Sequence, residues 1–156
     1  MNDVTASPAD HAEPTYRAAF AVSEHSALHL RRILRMYLTG WGLLDVADVA
    51  ELALTELIAN VVRHVPGRLC QTCILWLPGR GVRIEVADGC PHLPSAAVGD
   101  ELDEGGRGLV LVDALTDSWG VEPRHDGCGK TVWFECLTAK AADVPEPGEA
   151  GVTAVR

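Results

Sequence analysis

Hydrophobic and polar positions run along this chain in two rhythms, and the switches between them divide it into elements. Apolar side chains recur at Ala50, Leu54, Leu57, Ile58, Val61, Val62 and Val65, the 3.6-residue spacing of an amphipathic helix. A second stripe of Ala27, Leu30, Leu34, Tyr37 and Leu38 predicts a helix over residues 24–39, with Ser23 as its N-cap and Gly40 as its stop. Asp45 is placed to cap the longer helix, Asp48 lies in its first turn, and Pro66-Gly67 ends it. The other rhythm has period two. Val82, Ile84 and Val86 face one way and Arg83 and Glu85 the other, which predicts a strand over 82–87. The turn at 78–81 joins it to a strand over 69–77. Residues 15–22, 118–122 and 130–137 read as further strands, with a hairpin turn at 125–129. Gly105, Gly106 and Gly108 lead into a short apolar helix that ends near Leu115.

Composition narrows the class without naming a function. The 156 residues, 47% hydrophobic and 22% charged, fit one domain over 15–138. The Pro-, Asp- and Ser-containing residues 1–14 and the Ala-, Pro-, Glu- and Gly-rich residues 139–156 read as disordered tails. No apolar run approaches the ~20 residues that span a bilayer, and residues 1–14 lack the order of a secretory signal. The expectation is a cytoplasmic protein that does not enter membranes. A net charge of −9 argues against direct binding of nucleic acid. It leaves a nucleotide open, because backbone N–H groups at a helix start can hold phosphate. Cys70 and Cys73 form a CxxC, but three residues apart on a strand they face opposite ways and cannot share a metal.

Three stretches carry candidate chemistry. Glu56 and Asn60 lie one helical turn apart and point the same way, and Arg63 or His64 extends that stripe. The carboxylate can take a proton from a nucleophile, and the amide oxygen is a hard neutral ligand suited to Mg²⁺. The plain alternative is that both lie on the wet side of a half-buried helix. Asp88 follows the strand over 82–87 with the parity of its apolar face, so it enters the buried side and needs a partner there. Gly106, Arg107, Gly108 and Leu109 open a helix, the sequence form of an anion cradle, or else a glycine turn that merely connects. On the helix over 24–39, His25, Arg31, Arg32 and Arg35 make a solvated face or a docking face for an acidic partner.

In order, these motifs are Glu56-x-x-x-Asn60 on a helix, Asp88-Gly89 after a strand, Gly106-Arg107-Gly108-Leu109 opening a helix, and Gly129-Lys130-Thr131 opening a strand. That series, over residues 15–137, resembles the GHKL ATP-binding superfamily of gyrase, histidine kinases and MutL. The small size and the stretches at 107–121 and 129–135 are similar to the stand-alone anti-sigma-factor serine kinases of the RsbW and SpoIIAB type. The resemblance implies a Bergerat ATP-binding fold: an α/β (α+β) two-layer sandwich whose mixed, mostly antiparallel sheet is covered by helices on one face. It implies ATP and Mg²⁺ as cofactors, Asn60 as the Mg²⁺ ligand and Glu56 as the catalytic base. Asp88 and Gly89 would meet the adenine, Gly106, Arg107, Gly108 and Leu109 the phosphates, and Thr131 the adenine side. The implied activity is a serine protein kinase that sequesters a partner, a sigma factor or an anti-sigma-factor antagonist, with a homodimer as a further candidate assembly. The family's first glycine box departs here, with Cys90 and His92 where glycines stand. The alternative is therefore a nucleotide-gated protein-binding module with little or no turnover.

Overall fold

The computed structural model describes residues 15–91 and 104–139, with backbone alone for 104–108. The elements run β1 (Tyr16–Ala21), α1 (Ser26–Gly40), α2 (Ala47–His64), β2 (Leu69–Leu77), β3 (Gly81–Asp88), α3 (Glu104–Leu115), β4 (Ser118–Pro123) and β5 (Lys130–Leu137). The expected tails over 1–14 and 139–156 lie outside the described residues, Ala139 excepted. No described helix is long and apolar enough to cross a membrane.

The strands form one sheet in the order β1-β2-β3-β5-β4. All four pairings are antiparallel, so the sheet is less mixed than expected. Alternation decides its two faces. Val82, Ile84 and Val86 of β3 and Val132, Phe134 and Cys136 of β5 turn toward the helices and are buried. α2 is the middle of the helical layer, touching α1, α3, β3 and β5. It buries Ala50, Ala53, Leu54, Leu57, Ile58 and Val61, while α1 contributes Leu30, Leu34 and Leu38. Each large side chain removed from water here contributes roughly 1.5–3 kcal/mol, which fixes α2 against the sheet. On the other face Arg83 is buried, paired with Glu85 at 2.8 Å and Glu135 at 3.0 Å. Its guanidinium lies 4.1 Å from the Trp133 ring centroid, a cation–π contact.

The ends of the helices differ from their sequence reading. α1 begins at Ser26 rather than Glu24, because Ser23 and Ser26 bond reciprocally ahead of it: Ser26 Oγ accepts the Ser23 N–H at 2.8 Å and Ser23 O accepts the Ser26 N–H at 3.0 Å. It runs through Gly40, and the glycine that terminates it is Gly42, two residues on. Gly42 has φ +72°, the Leu43 N–H reaches Leu38 O at 2.8 Å, and the Gly42 N–H reaches Thr39 O at 3.2 Å. That is a Schellman motif, and its left-handed position is the one that calls for glycine. Asp45 does not cap α2. Its carboxylate instead accepts the Thr138 hydroxyl at 2.7 Å and the Ala139 N–H at 3.0 Å, which ties the end of β5 to the start of α2. Cys70 and Cys73 do face opposite ways: Cys70 pairs with Phe20 and Asp88, Cys73 with Arg17 and Glu85. Burial pushes both thiols up.

Candidate functional site

α2 brings Glu56 and Asn60 to one side of the helical layer, both half-buried. Asn60 Oδ1 is closed off from solvent and accepts no hydrogen bond among the described residues. A buried acceptor left unmade costs about 1–3 kcal/mol, which a bound ligand would offset. An amide oxygen with no proton donor beside it fits a hard cation. Glu51, a turn and a half before Glu56, serves a different end. It pairs with Arg35 of α1 at 2.5 Å, and Arg35 also holds Asp48 at 2.7 Å. Arg35 thus helps clip α1 to α2, rather than standing free on a docking face.

Asp88 closes β3 and is 4% exposed, on the helix side as its parity requires. Its Oδ1 accepts the Cys90 N–H at 2.8 Å and Lys130 Nζ at 3.0 Å. Lys130 Nζ also donates to Cys90 O at 3.2 Å. The carboxylate, the ammonium and the backbone of Cys90 therefore hold one another. Cys90 avoids a left-handed φ, since Arg68 is the non-glycine with positive φ among the described residues. The loop has taken a path that needs no glycine at 90. Gly89 has ordinary room for a Cβ, 3.6 Å from Cys128 O, whereas one on Gly129 would fall 2.0 Å from Asp88 O. Gly129 is thus what lets β5 start so close to the end of β3. A cavity of about 410 Å³ opens beside this corner, walled by Val65, Pro66, Cys70, Asp88, Gly89 and Arg124 among others. Neither Glu56 nor Asn60 lines it.

The structure separates Thr131 from this corner. Asp88 pairs with Lys130 and Ala87 with Thr131, so Thr131 points to the opposite face of the sheet from Asp88. The β5 residue that meets Asp88 is Lys130, which sequence reasoning missed. The signal was there: Lys130 shares parity with Val132, Phe134 and Cys136, and a lysine on an apolar face needs a partner as much as Asp88 does. Gly106, Arg107 and Gly108 are backbone positions in the first turns of α3, which starts at Glu104. The N–H groups of 104–106 have no intrahelical acceptor, so the donors a phosphate could meet here lie at the helix end itself. Leu109 is fully buried beside Val112 and packs the helix down. His92 lies outside the described residues.

Residues 20–136 match the histidine kinase-like ATPase domain. The chain belongs to the histidine kinase-like ATPase family. The match takes in α2, Asp88, α3 and β5 together, and a domain of this family is built to bind ATP. Over 76 residues the chain is also 37% identical to SCO4941, an uncharacterized protein of Streptomyces coelicolor, a stretch that covers 47% of this chain and 72% of that protein. A chain in the crystal structure of the SiaB–SiaC complex from Pseudomonas aeruginosa shares the fold, with a TM-score of 0.54 at 12% identity over 80% of this chain and 90% of that one.

Proposed function

We propose that this histidine kinase-like ATPase domain binds ATP with Mg²⁺ and acts as a regulatory serine protein kinase that also sequesters a protein partner. The observation that carries the metal-binding half is the buried, unpartnered Asn60 Oδ1 on the same helix as Glu56. Asn60 is the Mg²⁺ ligand, and when bound the ion neutralises charge on the phosphates. Asp88 receives the adenine, and the N-terminal N–H groups of α3 receive phosphate. Glu56 accepts the proton of a serine hydroxyl as its oxygen bonds to the γ-phosphorus and the bond to the departing ADP breaks. Positioning and charge account for most of phosphoryl transfer, and a rigid α2 supplies the first.

A protein partner is supported by the structural neighbour, which was seen in complex with a second protein. The classes in view are a sigma factor and an anti-sigma-factor antagonist, met in the cytoplasm, with a homodimer as a further assembly. One observation favours the second reading, a nucleotide-gated binding module without turnover. Cys90 stands where the family has glycine, and its backbone is committed to Asp88 and Lys130.

Incubation with labelled ATP and candidate partners, followed by detection of phosphoserine, separates the two readings. Labelled serine on a partner supports the kinase, and nucleotide-dependent capture of a partner without label supports the module. Asn60→Ala should abolish the dependence of ATP affinity on Mg²⁺. Titrations of that variant with and without the metal should then coincide, and a variant as metal-dependent as wild type would remove Asn60 from the site.

A further inference from the structure

The corner formed by Asp88 and Lys130 holds more hydrogen-bonding capacity than the protein itself uses. Lys130 opens β5 directly opposite Asp88, and their side chains are 8% and 4% exposed. An ammonium carries three N–H donors. One goes to Asp88 Oδ1 and one to Cys90 O, and the third meets no acceptor among the described residues. Asp88 Oδ1 is taken twice, by Lys130 and by the Cys90 N–H, while Oδ2 takes part in neither bond. A spare acceptor and a spare donor therefore sit side by side at the end of the β3–β5 ladder, both held in place by backbone. Desolvated groups of this kind discriminate strongly, because a ligand that fails to pair them leaves them unpaired and buried.

We propose that Lys130 is a specificity-determining residue, donating its remaining N–H to ring nitrogen N1 of an adenine whose 6-amino group is received by Asp88 Oδ2. The inference rests on the nucleotide-binding reading above and says how the base is read. Adenine offers a donor at the 6-amino group next to an acceptor at N1, the complement of this corner. Guanine and hypoxanthine in the same pose turn O6 toward the carboxylate and N1–H toward the ammonium, so both contacts are wrong. The bonds that Cys90 makes in the corner come from its amide and carbonyl, which any residue at 90 supplies.

The test is calorimetric titration of ATP, GTP and the 1-deaza analogue of ATP, which keeps the 6-amino group and lacks N1, into the wild-type chain and into Lys130→Met. Wild type should bind ATP about 10-fold or more tightly than the 1-deaza analogue, the worth of a hydrogen bond to a charged group, and should reject GTP more strongly still. In Lys130→Met the ratio of ATP to 1-deaza affinity should fall to near unity. A lysine that only supports the fold would weaken both nucleotides alike and leave the ratio unchanged, which overturns the proposal. Wild type that binds ATP and its 1-deaza analogue equally also overturns it, while keeping the nucleotide-binding reading. No binding of any of the three overturns both. The wild-type comparison involves no substitution, so it decides the matter even where Lys130→Met does not fold.

Discussion

Glu56→Gln should leave ATP affinity within a few-fold of wild type and slow phosphoryl transfer by ~10²–10⁴-fold, the range of a positioned acid–base group. The substitution keeps shape and removes only the ability to hold a proton. Glu56 is half-buried and makes no hydrogen bond or ion pair among the described residues, so its replacement unravels no network. Glu51, tied to Arg35, offers the contrast. Glu51→Gln should weaken the pairing with Arg35 and keep its transfer rate. Single-turnover transfer from labelled ATP to the cognate partner reads both. Equal rates in wild type and Glu56→Gln would refute the base assignment and leave the kinase standing. A wild type inactive on a proven partner would favour the binding module.

Asp88→Ala should cost roughly 3–5 kcal/mol of folding stability, the usual result of stranding one member of a buried ion pair. Lys130 would be left at 8% exposure with Cys90 O as its partner among the described residues. Urea unfolding followed by circular dichroism measures the loss. The double variant Asp88→Ala/Lys130→Met should recover most of that stability, because an apolar pair of similar volume replaces two buried charges. It should not recover ATP affinity, because the acceptor for the base is gone. A single variant within about 1 kcal/mol of wild type would mean that the pair is better solvated than its burial indicates.

Much of this site could be read from residue pattern. The period-two run from Val82 to Val86 put Asp88 on the buried face before any coordinates, and the structure keeps it there at 4% exposure. The bounds of β2 and β5 were likewise set by alternation and the apolar face of α2 by its 3.6-residue period, and both patterns survive folding because they are what buries the core. What escaped was decided by contacts between distant segments. Asp45 looks like a helix cap in isolation, and only the arrival of Thr138 and Ala139 gives its carboxylate other partners. Gly40 reads as the stop of α1 in the sequence, and a local matter, the backbone bonds made by Leu43 and Gly42, puts the left-handed position at Gly42 instead. Lys130 lies beside the motif position Thr131, and only the strand's parity distinguishes the two. The unpartnered state of Asn60 Oδ1 could not be read from sequence at all, since it depends on what packs around α2.

The central claim is a nucleotide site with Asn60 at its metal end and Asp88 at its base end, and calorimetric titration of ATP into the full chain with and without Mg²⁺ tests it most directly. The expected result is saturable binding of one ATP per chain that tightens when Mg²⁺ is present, weakens in Asp88→Asn and loses its metal dependence in Asn60→Ala. Absence of binding by the folded wild-type chain at millimolar ATP with Mg²⁺ would contradict it.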